Sequence, residues 1–592
     1  MKKKLINSWR IYIKRHHILK PACRLVPQIF AAVSLSSTIC PQYPRPNTLH
    51  KLSIRTLQPR CNLLSFNTRA RNEAVHNMWM FGSVFVAVLV VVGLRFFDKF
   101  WWRPAQVQRM MEAQGVRGPG YKFIQGNSRE IFDMRMESMS RPMELCNHLL
   151  PRIQPYVYKW VQTYGRNYLQ WDGVNPQLVV TDQEMIKEIL NNKAGAYSKP
   201  EPPAYFRKLF GDGLPYSKGE KWAKSRKLST HAFNGESLKG MVPVMVSSCE
   251  LMLESWRGLE GQEIEVYEMF KVFTADVISR TAFGSSYQEG RSMFEKLSRL
   301  TLIAVRNSFK NKLPIITKFW KSLDDLDSER LENEVKELIL EMIRSREEEK
   351  VSVGEEYGDD FLGLLLKASH DSDESTRIGA QTIVDECKTF YVAGSDTSNT
   401  LLTWTVFLLA IHTDWQEEAR KEVLQHFGQA NPHHDGISRL KTMSMIINES
   451  LRLYPPTPGF LRHVEKGVRL GNLDLPDNVN IFISTLALHH DVKIWGDDAQ
   501  VFNPGRFSEG IAQATDKNVA AFFPFGIGPR MCVGSQFATI EAKIALSMIL
   551  QRYSFTLSPS YVHSPRQFIT IRPQLGVQVI LTATETPAND SM

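Results

Sequence analysis

Apolar residues recur along most of the chain at the spacing of helices, and at the spacing of strands in two late segments. Residues 334–346 place apolar side chains three and four positions apart with charged ones between them, which predicts an amphipathic helix. Short runs of apolar and β-branched residues at 479–484 and 576–581 predict strands. The acidic, polar stretches 347–360 and 371–376 indicate solvated loops. The pattern predicts a mainly α protein with small β-sheets.

An uninterrupted apolar stretch, 78–94, holds 17 residues without a charge, which is at the short end of a membrane span. Arg95, Lys99 and Arg103 follow it among aromatic residues, a pattern typical of the cytoplasmic side of a membrane. A buried helix and a cleaved signal peptide are the alternatives, but no small-residue cleavage site follows. We therefore expect a retained transmembrane anchor at 78–94.

Positive charge is concentrated before this stretch. Residues 1–77 hold 14 Lys and Arg and one acid, whereas the whole chain has a formal net charge of +10. The remainder is near neutral, so the basic pI does not indicate a nucleic-acid partner. Residues 1–77 are either a transit-peptide-like targeting extension or a stretch outside the functional protein, with Met78 or Met80 as the true start. We favour the second because the anchor begins there.

The rest of the chain has ordinary globular composition, with 43% hydrophobic and 23% charged residues. The seven cysteines include no C-x-x-C pair, which argues against zinc ribbons and thioredoxin-like chemistry and favours a reducing compartment. We expect a basic linker over 95–120, ending at the helix breaker Gly118-Pro119-Gly120, and a single catalytic body over 121–592.

The strongest chemical signal is the loop from Phe525 to Gly534, which reads F-x-x-G-x-R-x-C-x-G. A cysteine thiolate can be the axial ligand of haem iron, and Cys532 precedes a predicted helix whose N-terminus would lower the thiol pKa. Gly528 and Gly534 would let the backbone approach a flat cofactor, and Arg530 could pair with a haem propionate. The alternative, an inert buried cysteine, leaves the glycines and the arginine unexplained.

This loop resembles the haem-binding signature of the cytochrome P450 family, the haem-thiolate monooxygenases. The resemblance extends over about 95–592 and implies the cytochrome P450 fold, with heme b bound through the Cys532 thiolate as metal ligand. Phe525, Gly528, Arg530 and Gly534 would belong to the cofactor-binding loop.

A second segment, 389–411, holds 23 residues with one charge, Asp396. It could be another membrane span, but the polar cluster 395–400 favours a buried core helix. Residues 393–398 resemble the family segment that carries an acid and an alcohol. Thr397 could donate to the carbonyl of Ala393 and loosen the helix, and Asp396 with Thr397 could relay protons as the catalytic pair.

Further motifs resemble the family in their order along the chain. Glu449 and Arg452 form E-x-x-R on a predicted helix, and Arg506 would complete a structural set with them. Gly505 departs from the family's usual Glu, for which we expect a modest cost in loop order.

Trp222, Arg226 and Arg462 are candidates for propionate contacts; an amphipathic surface helix is the alternative for the first two. By resemblance, an apolar substrate pocket would use about 199–216, 390–396 and 457–460, which are otherwise ordinary core.

Residues 384–391 and 487–496 look closer still to plant microsomal members of the 72 clan. The resemblance implies insertion of one oxygen atom from O2 into a lipophilic substrate: a terpenoid, a hormone-like compound or a xenobiotic. Electrons would come from NADPH through NADPH–cytochrome P450 reductase, with cytochrome b5 as an optional second donor. It also implies a single-pass endoplasmic reticulum protein with a cytoplasmic catalytic domain.

Three alternatives remain open at this stage. One is a P450-type isomerase or dehydratase that works without O2, although such members often lose the acid and alcohol kept here. Another is a non-catalytic membrane protein that binds haem or a sterol. The third is an organelle-targeted enzyme that uses residues 1–77 as a transit peptide.

Overall fold

The structure is a computed structural model that describes residues 64–308, 321–353 and 357–584. Helices dominate it and the sheets are small, so the predicted fold class is confirmed. Most of the expected N-terminal extension, residues 1–63, lies outside the described residues.

The helices follow one another along the whole described chain. They are α1 (Leu64–Phe97), α2 (Arg103–Ala113), α3 (Ser128–Ser138), α4 (Leu150–Ile153), α5 (Pro155–Tyr164), α6 (Gln183–Asn191), α7 (Ala204–Phe210), α8 (Gly219–Ala232), α9 (Gly235–Glu254), α10 (Val266–Phe283), α11 (Tyr287–Asn307), α12 (Leu323–Val353), α13 (Phe361–Ser369), α14 (Ala380–Ile411), α15 (Thr413–Phe427), α16 (His434–Arg439), α17 (Lys441–Leu453), α18 (Thr485–His489), α19 (Val492–Trp495), α20 (Ile511–Ala514) and α21 (Ser535–Arg552). A π-helical segment (Asp98–Trp102) joins α1 to α2, and short 3-10 turns lie at Pro504–Phe507 and Gly528–Arg530.

The strands are short and form four small sheets. They are β1 (Asn167–Asp172), β2 (Asn175–Val180), β3 (Tyr197–Ser198), β4 (Glu263–Glu265), β5 (Phe460–Val464), β6 (Val468–Leu470), β7 (Leu473–Leu475), β8 (Val479–Ile483), β9 (Tyr553–Leu557), β10 (Pro565–Gln567), β11 (Ile571–Pro573) and β12 (Gln578–Ala583). The largest sheet has the order β1-β2-β8-β5-β3, in which only β2 and β8 run parallel. The others are β4-β12-β9, β6-β7 and the hairpin β10-β11. Both strands predicted from the sequence are present, as β8 and β12.

Helix α1 contains the apolar stretch 78–94 and extends beyond it at both ends. Its side chains from Met78 to Leu94 are all exposed. Among the described residues, Val75–Ala113 is the one helical stretch long and apolar enough to cross a membrane. Much of the expected linker, 95–113, is helical, and Met111 of α2 is fully buried in an apolar cluster with β-sheet residues. Within the expected linker, residues 114–120 are the part that lacks regular structure.

Helix α14 lies at the centre of the body and settles the alternative raised for 389–411. Its residues from Leu401 to Ala410 are all buried among other helices, so it is a core helix, and the membrane-span alternative is wrong. Helix α12 continues to Val353, into a stretch expected to be a loop, because Glu347 to Lys350 are good helix formers.

Candidate active site in the Cys532 cavity

The loop that carries Cys532 is held by its own backbone hydrogen bonds. The N–H of Cys532 donates to the carbonyl of Phe525 at 2.8 Å, and the N–H of Gly526 donates to that of Phe523 at 2.9 Å. Gly526 and Gly528 both have φ of 74°, in the left-handed region that favours glycine. These hydrogen bonds and the two left-handed glycines together determine the path of the loop.

The two glycines predicted to meet a flat cofactor have different surroundings. A Cβ on Gly528 would lie 2.2 Å from the carbonyl oxygen of Leu190, so this glycine lets the loop pack against the end of α6 and does not line the cavity. A Cβ on Gly534 would meet no atom within 4 Å, and Gly534 borders the cavity beside Cys532. Only Gly534 has the position that the cofactor argument requires.

The Cys532 sulfur faces a cavity, called here the Cys532 cavity, just before α21 begins. The side chain is open to this space and otherwise surrounded by protein. Burial raises the pKa of the thiol, while the N–H of Gly534 and the guanidinium of Arg226 lower it. The helix N-terminus thus acts as the sequence predicts, but burial outweighs it. A thiol that coordinates a metal loses its proton outright.

Helix α14 also lines the cavity. The Thr397 hydroxyl donates to the carbonyl of Ala393 at 2.7 Å, which is the local hydrogen bond predicted from the sequence. A Cβ on Gly394 would lie 2.6 Å from a side-chain carbon of Ile278, so this glycine lets α10 approach α14 closely. Thr397, Gly394 and Ile278 all line the cavity.

Asp396 is placed elsewhere. Its carboxylate pairs with Arg572 of β11 at 2.5 Å and accepts a hydrogen bond from the Thr570 hydroxyl at 2.9 Å. Asp396 does not line the cavity, so the acid and the alcohol of the motif face different surroundings. Arg572 and Thr570 have no signal in the sequence, because they lie on a distant hairpin.

Four cations lie close together, of which Arg530, Arg226 and Lys199 line the cavity and Arg462 lies beside them without lining it. Arg530 donates to the carbonyl of Ser217 at 2.9 Å and stacks over the Trp222 ring, 4.3 Å from its centre. Arg226 donates to the carbonyl of Met531 at 2.6 Å. Arg462 is buried and its described hydrogen bond goes to the carbonyl of its neighbour Leu461.

The fourth cation, Lys199, was missed by sequence reasoning. Burial and the Arg462 and Arg530 charges hold the pKa of Lys199 well below its usual value. Burial and the neighbouring Arg530 charge lower the pKa of Arg462 to about 10. Burial and the neighbouring Arg226 charge lower the pKa of Arg530 to about 10 as well. Within the described ranges, none of these four side chains forms an ion pair with a carboxylate. The arrangement favours an anionic ligand group at this side of the cavity.

The predicted structural set comes together below the cysteine loop. Arg452 forms a two-pronged pair with Glu449, with both N–O distances 2.7 Å, and both side chains are fully buried. Arg506 joins the same carboxylate at 3.3 Å and also pairs with Asp498 at 2.9 Å. His489, also missed from the sequence, connects the set to the loop: its carbonyl accepts from Arg452, and its Nε2 accepts from the N–H of Phe523.

The remaining wall of the cavity is mostly apolar. Among the segments predicted to contact substrate, Phe390 and Phe460 line the cavity, and so do Leu214 and Pro215 of 199–216. Tyr205, Leu209 and Phe210 of that segment are buried in the core instead, and Phe206 packs against it. The other apolar lining residues include Phe233, Ile278, Leu401, Leu451, Pro456, Phe525, Val533 and Phe537.

Comparison with known proteins agrees with this arrangement. The family model described as "Cytochrome P450" matches residues 147–579. The chain belongs to the cytochrome P450 family. It is 55% identical over 496 residues to cytochrome P450 CYP749A22 of Panax ginseng, which covers 83% of this chain and 94% of that protein.

Two further relatives extend the comparison. The 11-oxo-beta-amyrin 30-oxidase of Glycyrrhiza uralensis is 40% identical, over 85% of this chain and 98% of its own length. Cytochrome P450 72A68 of Medicago truncatula is 36% identical, over 86% and 99%. The predicted resemblance to plant P450s of the 72 clan is confirmed, and the protein is a cytochrome P450 monooxygenase.

A P450 uses a haem cofactor bound through a cysteine thiolate, and the residues of the Cys532 cavity fit that group. Cys532 supplies the sulfur, and the open space beside Gly534 leaves room for a flat ring. The four cations, which have no carboxylate partners among the described residues, suit the two carboxylates that a haem carries.

Proposed function

We propose that this protein inserts one oxygen atom from O2 into a terpenoid-like lipophilic substrate, using heme b held by Cys532. The observation that carries the proposal is a cavity lined by both Cys532 and Thr397 and otherwise mostly by apolar side chains. Apolar lining with few polar groups suits a large lipophilic molecule. The name of the 11-oxo-beta-amyrin 30-oxidase supports a triterpenoid as the first class to test.

The haem supplies the oxygen-activating chemistry. The residues of the chain position the haem and the substrate and deliver protons. The Cys532 sulfur would be the metal ligand, and Trp222, Arg226, Arg530 and Arg462 would hold the propionates. Thr397 would present its hydroxyl to the oxygen side. Glu449, Arg452 and Arg506 would keep the cysteine loop in place, because Arg452 donates to the His489 carbonyl and the His489 ring accepts the N–H of Phe523 just before the loop.

Asp396 would act through its neighbours rather than in contact with the cavity. Its ion pair with Arg572 holds one face of α14, and its carbonyl accepts from the Thr400 hydroxyl at 2.8 Å. A direct part in proton transfer would require the carboxylate to leave Arg572.

We also propose that residues 78–94 anchor the protein in the endoplasmic reticulum membrane, with the body, 121–592, in the cytoplasm. The exposed apolar side chains of α1 and the basic residues that follow support this orientation. Electrons would come from NADPH through NADPH–cytochrome P450 reductase, with cytochrome b5 as an optional donor. Residues 1–77 would be dispensable for this arrangement.

The test is reconstitution of the full chain with the reductase in microsomes, given NADPH, 18O2 and a panel of pentacyclic triterpenes. The proposal expects a product that is heavier by one 18O atom and that requires both NADPH and the reductase. A product without the label, formed in the absence of O2, would support the isomerase or dehydratase alternative instead. Haem or sterol binding without NADPH consumption would support the carrier alternative.

A further inference from the structure

The segment 384–391, which resembles the 72 clan, brings Phe390 to the cavity and also carries buried charges that have no role in the chemistry above. Asp385, Glu386 and Lys388 are 4%, 0% and 2% exposed in α14. Burying a charged side chain is costly unless it is paired or hydrogen-bonded. Their contacts therefore indicate what they do.

Asp385 and Glu386 contact a segment that borders the Cys532 cavity, Gly211–Ser217, called here the wall segment, whereas Lys388 donates to the carbonyl of Lys208 before it. Leu214 and Pro215 of the wall segment line the cavity. Asp385 accepts the N–H of Asp212 at 3.2 Å, and Glu386 accepts the N–H of Leu214 at 3.2 Å. Two carboxylates of α14 thus hold alternate N–H groups of the wall.

Two glycines bring the wall segment against α14. A Cβ on Gly211, whose φ is +59°, would lie 1.9 Å from the Asp385 carboxylate. A Cβ on Gly213 would lie 2.4 Å from the Thr389 hydroxyl. The backbone therefore lies directly on the buried polar side chains, with no room for a larger residue at either position.

Neighbouring groups complete the attachment. Lys221 of α8 pairs with Asp212 at 2.9 Å and lies 3.8 Å from Asp385. At the far end, the carbonyl of Ser217 accepts from Arg530 of the cysteine loop. Burial raises the pKa of the Glu386 carboxyl to about 7, opposed by the Ser225 hydroxyl and by the N–H of Leu214.

We propose that Asp385 and Glu386 are positioning residues that hold the wall segment by its N–H groups and thereby pre-order the pocket for a large ligand. The proposal rests on the proposed function, because it takes the cavity to be the substrate site. If the wall segment is already ordered before binding, a bulky ligand does not have to spend binding free energy on ordering it. A small ligand that needs only the iron does not depend on the wall.

The test compares Glu386→Met, which removes the acceptor of the Leu214 N–H at similar volume, with Glu386→Gln, which keeps an acceptor oxygen. Glu422→Met is the matched control, because Glu422 accepts the N–H groups of Thr442 and Met443 away from the cavity. In each holoenzyme, absorbance titration gives the Kd of imidazole and of clotrimazole, an imidazole that carries three aryl rings. Hydrogen–deuterium exchange of residues 210–217 and thermal unfolding are measured on the same samples.

Glu386→Met should raise the Kd of clotrimazole about three- to tenfold, the usual effect of one lost hydrogen bond, and leave the Kd of imidazole unchanged. Exchange in 210–217 should rise, and Glu386→Gln should behave as the unmodified protein. Glu422→Met should lower the unfolding temperature without changing either the ratio of the two Kd values or the exchange in 210–217. An unchanged ratio together with unchanged exchange in Glu386→Met would overturn the proposal.

Gly213→Ala provides an independent route should Glu386→Met fail to fold. The added methyl would push the wall away from Thr389 while Glu386 stays intact, so the same selective loss of clotrimazole is expected. An equal loss of affinity for imidazole and for clotrimazole in Gly213→Ala would contradict the proposal. The exchange comparison needs no ligand, so a failure of azole binding in the unmodified protein would count against the proposed function alone.

Discussion

Asp396 and Thr397 are adjacent in the sequence but face different parts of the molecule. Successive side chains on a helix point about 100° apart, so adjacent residues can meet different surroundings. The Thr397 hydroxyl faces the Cys532 cavity, whereas the Asp396 carboxylate is held by Arg572. Thr397 is therefore the residue whose loss should affect the reaction most directly.

Replacing Thr397 by Val should separate oxygen insertion from NADPH use. Without the hydroxyl, protons are delivered less well, and we expect hydrogen peroxide per NADPH to rise severalfold while product falls about 10² -fold. Thr405→Val is the matched control, because Thr405 makes the same kind of bond, to the carbonyl of Leu401, away from the cavity. An unchanged peroxide yield in Thr397→Val would contradict the assigned role.

Glu541 of α21 is another residue that sequence reasoning missed, and it predicts a pH dependence. Burial raises its pKa from 4.5 to about 8, opposed by the Ser398 hydroxyl. Between these values the unfolded chain loses a proton that the native protein keeps, so stability falls as pH rises.

Glu541→Gln should remove that fall, with a change in slope of at most about 1.4 kcal/mol per pH unit. Urea unfolding from pH 5 to 8 measures it. Glu418→Gln, at an exposed position, should keep the original slope. Equal slopes in Glu541→Gln and the unmodified protein would show that the carboxyl is not kept neutral by burial.

Among the elements, the E-x-x-R pair on α17 is expected to contribute most to holding the cysteine loop. Arg452→Met would leave Glu449 buried without its main partner, at a cost of about 3–5 kcal/mol. We expect loss of haem along with stability, because His489 links Arg452 to the loop. Absorbance during urea unfolding reports both.

A surface pair provides the control for this prediction. Lys421 and Glu418 have the same i,i+3 spacing but are 62% and 59% exposed. Lys421→Met should cost less than about 1 kcal/mol and leave haem content unchanged. Similar losses in both variants would mean that burial of the Glu449–Arg452 pair does not matter.

Local spacing explains which contacts could be predicted from the sequence. Glu449 with Arg452 and Thr397 with Ala393 are three and four residues apart on helices, so helix geometry alone brings them together. Asp396 with Arg572, and Lys199 with Arg530, depend on how distant elements pack, which no local pattern encodes. Gly528 shows the same limit, because its neighbour Leu190 lies on α6, far back in the chain.

For the whole molecule, the open issue is which N-terminal segment directs it to a membrane. Fusing residues 78–110 to a fluorescent protein should place it in the endoplasmic reticulum, because the apolar helix and its basic flank are both included. A fusion of residues 1–77 should remain diffuse. Delivery of the 1–77 fusion to plastids or mitochondria would instead establish a transit peptide and contradict the proposal that residues 1–77 are dispensable.

The central claim is that the Cys532 thiolate holds the haem iron, and the carbon monoxide difference spectrum of the reduced protein tests it most directly. A band near ~450 nm in the unmodified protein, moved to about 420 nm in Cys532→His, is the expected result, because the thiolate ligand determines the band position. A band near 450 nm that persists in Cys532→His, or the absence of haem from the folded, unmodified protein, would contradict the account.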